Sequence, residues 1–243
     1  MREICTFAKS SIDKSNMIKL IIFDFDGTLG DTRRNIVLTL QQTMCALGLT
    51  VQDEAVCTAT IGLTLEDGFR KMYPELDESA IESCVITYRH LFDENRKYLV
   101  PQLFPGVADT LKDLKERGLT MAVASSRSSK SLNEFLSEMG IAPCMSLVIG
   151  ADNVTKAKPD PESVLKVLSA FDISADEALV VGDMGVDIQM GKAAGAKTCG
   201  VTWGNGSRQD LLDAGADNVI DSMPELFEKA IYCRKASSRA LIP

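Results

Sequence analysis

From Met17 onward, short runs of apolar residues alternate with longer stretches in which apolar positions recur every three or four residues. The short runs KLIIFDF, LTMAVAS, SLVIG, ALVVGD, KTCGV and DNVI predict strands, and their unbroken apolar character suits a parallel sheet covered on both faces. The longer stretches predict helices with one apolar stripe each: Val107, Leu111 and Leu114; Leu132, Phe135, Leu136 and Met139; Val164, Leu165, Leu168 and Phe171. Gly118, Gly140 and Gly195 stand where these helices should stop and turn. Strand and helix in repeated alternation imply an α/β fold with a doubly wound, Rossmann-like parallel sheet.

One segment departs from this rhythm. Residues 32–100 carry helical periodicity without a strand, with Ile36, Val37, Leu40, Met44 and Leu47 on one helix and Ile81, Val85, Tyr88 and Phe92 on another. The prediction is an all-helical cap inserted after the first strand, with Pro101 and Pro105-Gly106 marking the return. The chain then divides into an N-terminal tail (1–16), an α/β core (17–31 and 101–243) and the cap (32–100).

Charge narrows the possible partners. The 243 residues include 26 Lys and Arg against 34 Asp and Glu, a formal charge of −8, which argues against the broad basic surface that nucleic acid requires. No stretch has the length of a membrane span, and the N-terminus lacks an apolar signal core, so no membrane partner is expected. Seven scattered cysteines without a C-x-x-C pair suit reduced thiols and a cytoplasmic location. The basic C-terminal residues Arg234, Lys235 and Arg239 read as solvated charge.

Chemistry concentrates where the predicted strands end. Asp24 and Asp26 follow the first strand, Ser125 and Ser126 the second, Lys158 lies in the loop after SLVIG, and Asp183 and Asp187 follow ALVV. Ligands of open α/β sheets gather at such carboxyl ends, so four loops distant in sequence should meet at one mouth. Neighbouring carboxylates raise one another's pKa unless a cation balances them, and Mg²⁺ suits hard oxygen ligands completed by a substrate phosphate. Lys158 and Ser125 are suited to phosphate oxygens. Asp24 and Asp26 leave an extended backbone on one face, and Gly27 allows a sharp turn between roles: one carboxylate attacks phosphorus while the other handles protons.

The stretches FDFDGTLGDT, AVASS, AKPDP and VVGDMGVD, in this order and with a helical insertion after the first, resemble the four motifs of haloacid dehalogenase superfamily phosphatases, in particular phosphoglycolate phosphatase-like members. The resemblance implies Asp24 as nucleophile through an aspartyl-phosphate, and Asp26 as acid/base. It also implies Ser125 and Ser126 at the phosphate, Lys158 as charge stabiliser, and Asp187 as a supporting residue. Mg²⁺ would be held by Asp24, the Asp26 carbonyl and Asp183. The expected partner is a small phosphorylated metabolite, phosphoglycolate being the first guess.

Other features receive plainer readings. Asp31 is expected to cap the helix that follows, Trp203 to pack near a strand end with TWGNGS as a loop able to rim the site, and Arg33, Arg34, Arg70 and Arg89 to be solvated. Gly62 and Thr64 are weak candidates for specificity, and His90, the sole histidine, lies in the cap. A phosphosugar mutase resembling β-phosphoglucomutase would carry a histidine early in the cap, and RRNIVLTLQQTMCALG has none. A receiver-like signalling switch would place its aspartate on a later strand. A non-catalytic phosphate-binding protein is the remaining alternative.

Overall fold

A computed structural model describes residues 17–231. The tail 1–16, Cys5, Cys233 and the basic C-terminal residues lie outside the described residues. Six parallel strands form the central sheet: β1 (Leu20–Phe23), β4 (Thr120–Ala124), β5 (Leu147–Ile149), β6 (Ala178–Gly182), β7 (Lys197–Val201) and β8 (Asn218–Ile220). Their spatial order is β5-β4-β1-β6-β7-β8. The chain builds outward from β1 to one side and then to the other, so the strand order reverses at β1. A crevice opens at such a switch point.

Alternate residues of each strand go to opposite faces, and both faces are covered. Ile21, Phe23, Met121, Val123, Leu179 and Val181 pack with α5 (Val107–Glu116) and α6 (Ser129–Glu138). On the other face, Leu20, Ile22, Ala122 and Val180 meet Val164, Val167 and Leu168 of α7 (Glu162–Phe171) and Met190 of α8 (Gly185–Ala193). Each such side chain contributes about 1.5–3 kcal/mol relative to exposure, so two covered faces favour continuous apolar strands. Leu165 departs from the expected stripe at 48% exposed; Val167 takes its place, because the face of α7 turned to the sheet runs through 164, 167 and 168.

Between the paired short strands β2 (Gly30–Asp31) and β3 (Gln102–Leu103) stand α1 (Arg33–Ala46), α2 (Glu54–Thr58), α3 (Leu65–Met72) and α4 (Glu78–Asn95). Ile36, Val37, Leu40 and Met44 of α1 and Ile81, Val85, Tyr88 and Phe92 of α4 are buried, and they join the core cluster on the α5 and α6 side of the sheet. Leu47, expected in the α1 stripe, is 38% exposed just past the helix end. Asp31 does not cap α1: it is exposed in β2, and Thr32 occupies the cap position. Gly118, Gly140 and Gly195 follow α5, α6 and α8 with φ of +80°, +71° and +78°, the left-handed backbone of a helix stop. No helix among the described residues is long and apolar enough to cross a membrane.

Candidate active site

Asp24 stands one residue beyond β1, and its N–H continues the ladder by donating to the Val181 carbonyl at 2.9 Å. The hydrogen-bonded sheet therefore fixes where its carboxylate begins. Ser125 is held the same way after β4, its N–H donating to the Ile149 carbonyl at 3.0 Å. Between Asp24 and β2 the backbone coils tightly: the N–H groups of Leu29 and Gly30 both donate to the Phe25 carbonyl, and Gly27 has φ +87°. A Cβ at Gly27 would collide with Asp183, so glycine there also admits the neighbouring carboxylate.

Asp24, Asp183 and Asp187 are all buried, and each offers a carboxylate oxygen within 4.8 Å of the others. Lys158, 4% exposed at its side chain, donates to Asp24 Oδ1 at 2.6 Å and to Asp187 Oδ1 at 2.7 Å. Asp187 Oδ2 accepts from the Met184 N–H at 3.0 Å, which ties it to the start of α8. Asp183 accepts from Thr28 Oγ1 at 3.1 Å and from the backbone and side-chain nitrogens of Asn205 at 2.7 and 3.0 Å. The TWGNGS loop thus braces Asp183, and Trp203 donates from Nε1 to the Thr28 carbonyl at 3.1 Å while packing near Phe104.

Were all three carboxylates ionised, the one ammonium would leave a buried excess of two negative charges. Burial pushes the Asp24 carboxyl from its usual 3.8 up to about 7 although Lys158 pulls it down, and Asp187 adds to the rise. Burial, then Asp187 and Asp24, likewise raise Asp183. For Lys158 burial opposes the charge, but Asp187 and Asp24 outweigh it and shift the group upward. A hard divalent cation would supply the two missing charges, and the donor set of oxygens fits one.

Asp26 faces another way. Its Oδ1 accepts from Thr32 Oγ1 at 2.7 Å and from Arg127 Nη2 at 2.7 Å, and its Oδ2 accepts from Arg127 Nε at 3.1 Å. The Arg127 guanidinium also donates to Ser131 Oγ at 3.2 Å and lies 4.8 Å over the Phe92 ring and 5.0 Å over the Phe135 ring. No motif or spacing in the sequence marks Arg127. The only signal was a cation directly after Ser126.

Ser126, expected at the phosphate, directs its hydroxyl to the insertion: Oγ donates to the Gly62 carbonyl at 2.6 Å. The segment Ile61–Thr64 therefore rests on the core loop after β4. A Cβ at Gly62 would lie 3.4 Å from Met184 Cγ, which brings the loop after β6 into the same contact. Behind it a cavity of about 830 Å³ is lined by Asp24, Asp26, Thr64, Tyr88, Ser125 and Arg127 among others. Arg89 reaches Glu66 at 3.6 Å at this rim, and Arg70 pairs with Glu78 at 2.6 Å. Arg33, read as solvated, instead donates to Asn205 Oδ1 at 2.8 Å and to the Gly204 carbonyl.

A family model described as haloacid dehalogenase-like hydrolase matches residues 21–201. The chain is 35% identical to "Probable phosphatase IndB" of Dickeya dadantii, over 91% of this chain and 97% of that protein. It is 32% identical to a phosphoglycolate phosphatase of Vibrio cholerae (87% and 96% covered) and 31% identical to the pyrophosphatase PpaX of Bacillus pumilus (86% and 95%). Among solved structures, a haloacid dehalogenase-like family hydrolase from Streptococcus pneumoniae superposes with a TM-score of 0.77 at 24% identity, over 87% of this chain and 97% of the other, a likeness of fold.

Proposed function

The chain belongs to the haloacid dehalogenase-like hydrolases, and from that premise we propose a Mg²⁺-dependent phosphatase that hydrolyses small phosphate monoesters through an aspartyl-phosphate. The observation that carries the reading is the buried trio Asp24, Asp183 and Asp187, two of whose members, Asp24 and Asp187, share the single ammonium of Lys158. The relatives named phosphatase, phosphoglycolate phosphatase and pyrophosphatase support reaction at phosphorus.

In this reading Asp24, Asp183 and the Asp26 carbonyl hold Mg²⁺, which when bound neutralises phosphate oxygens and screens Asp24 from the dianion it must approach. Asp24 attacks phosphorus: an Asp24 carboxylate oxygen forms the new bond to phosphorus as the bond to the leaving oxygen breaks. Asp26 gives that oxygen its proton, and the alcohol departs. A water then attacks the phosphorus of the acyl phosphate, surrendering a proton to Asp26, and the bond to Asp24 breaks to restore the carboxylate and release inorganic phosphate. Ser125 and the backbone N–H of Ser126 donate to the phosphoryl oxygens. Lys158 opposes their charge, and Asp187 keeps the lysine aimed. The cap segment at Gly62 closes over the reacting group and excludes bulk water.

Phosphate release from a panel headed by phosphoglycolate and pyrophosphate, with Mg²⁺ and with excess chelator, tests the reading against Asp24→Asn. Release that needs Mg²⁺ and vanishes in the variant is expected. Equal release in the variant, or in chelator, would overturn it.

A further inference from the structure

Arg127 belongs to neither the carboxylate trio nor the lysine that serves it, yet it grips both oxygens of Asp26. Its side chain is 11% exposed, enclosed between the rings of Phe92 from α4 and Phe135 from α6. Within this enclosure Asp26 is the acid to which it is paired, and Ser131 and the aromatic faces contribute no full negative charge. Asp26 in turn has no oxygen left over: Thr32 and Arg127 occupy one, Arg127 the other.

The proposed chemistry asks Asp26 to leave this arrangement and reach the leaving oxygen. If it did so alone, a guanidinium would remain in a mostly enclosed pocket with only Asp24 as a negative charge, beyond ion-pair distance and already paired with Lys158, and breaking one side of a buried ion pair is strongly unfavourable. The cost is avoided when another anion takes the place of Asp26. The cavity offers the route, because Arg127 lines it together with Asp24, Asp26 and Ser125. Other cations at the cavity are less suited. Arg96 is already bound by Glu134 and Glu138 at 2.7 and 2.6 Å, and Arg89 is 64% exposed at its side chain, where water screens it.

We infer that Arg127 determines specificity by receiving a second anionic group of the substrate, a carboxylate or a further phosphate, in exchange for Asp26. The substrate class is then a phosphate ester or anhydride with another negative charge a few bonds from the scissile oxygen. The substrate releases the acid/base only when it carries that charge, so a compound of the same size without it finds Asp26 still held. This inference rests on the phosphatase reading above and sharpens its substrate.

The test compares kcat/KM for phosphoglycolate, pyrophosphate and 2-hydroxyethyl phosphate, the last close to phosphoglycolate in size with an uncharged hydroxymethyl group in place of the carboxylate. Wild type is expected to favour the carboxylate ester over its neutral analogue by about tenfold or more. Arg127→Gln should bring the two close together, and Arg127→Lys should retain part of the difference, since an ammonium keeps the charge but not the fork. Preference for pyrophosphate without preference for phosphoglycolate would assign the second group as phosphate; the reverse would assign a carboxylate. A wild type without preference for either charged compound, or an Arg127→Gln variant that slows all three equally, overturns the inference. Should Arg127→Gln not fold, binding of phosphoglycolate and 2-hydroxyethyl phosphate to Asp24→Asn, with Arg127 intact, decides by the same ratio. If no compound, p-nitrophenyl phosphate included, is hydrolysed with Mg²⁺, the phosphatase reading fails and the inference falls with it.

Discussion

Ser126 and Gly62 are 64 positions apart in the chain, and the hydroxyl of one meets the carbonyl of the other at 2.6 Å. This bond joins the loop after β4, where phosphate is expected, to the insertion that covers it. A hydrogen bond of this kind contributes about 0.5–1.5 kcal/mol net. Ser126→Ala should therefore raise KM or lower kcat by roughly two- to tenfold and speed amide exchange over residues 60–65. Unchanged exchange there would show that the bond does not hold the segment down.

Lys158 compensates two carboxylates at once. Lys158→Met would leave Asp24 and Asp187 buried without it, and loss of one partner from such a pair costs about 3–5 kcal/mol. For a chain of this size the melting temperature in chelator should fall by roughly 10 °C, alongside loss of turnover. A melting temperature within a degree of wild type would mean that the carboxylates had become neutral or wet.

Asp24→Asn removes a charge from an overcrowded site while keeping the shape of the side chain. If Asp24 is the covalent nucleophile proposed above, turnover should fall by about a thousandfold or more. In chelator the variant should melt no lower than wild type, because one of the mutually repelling buried carboxylates is gone.

The upward shifts of Asp24 and Asp183 set the sign of a pH effect. The folded chain holds protons on these groups that the unfolded chain gives up near pH 4, so the stability they contribute without cation declines as pH rises from about 4 toward 7. A cation must displace those protons, so its binding strengthens over the same interval. The increase in melting temperature produced by Mg²⁺ over chelator should be small near pH 5 and largest above pH 7. A pH-independent increase would show that the cation does not compete with protons at this trio.

Gly204 lies against Asp183: a Cβ there would fall within the van der Waals envelope of that carboxylate and of the Gly27 carbonyl. Gly204→Ala should push the 202–206 loop away, cost Asp183 its two bonds from Asn205, and weaken Mg²⁺ binding measured calorimetrically by about tenfold or more. Binding at wild-type strength would mean that the loop does not brace Asp183 for the proposed cation.

The six strands, the main helix stripes and the helix-stopping glycines were readable in the sequence because each follows from a local period or a single residue's backbone preference. So was the gathering of Asp24, Ser125, Lys158 and Asp183 at one edge, which follows from strand ends in a parallel sheet. What escaped was pairing across the fold. Arg127 meets Asp26 from 101 positions away, and nothing in the spacing of SSR says which carboxylate it will choose. Ser126 likewise found its partner in the insertion. Leu165 and Asp31 depart from expectation for a different reason: helix phase and helix start each depend on where neighbouring elements press, and a shift of one residue changes which side chain is covered.

The pairing of β2 with β3 draws together the two points at which the chain leaves the sheet and comes back, Gly30 opposite Leu103 and Asp31 opposite Gln102. Everything from α1 to α4 is thus spliced in through a single narrow gate, and the sheet is sewn shut behind it. A change in the length or lining of residues 32–101 can therefore alter the roof over the mouth without passing through the strands that end at Asp24, Ser125 and Asp183.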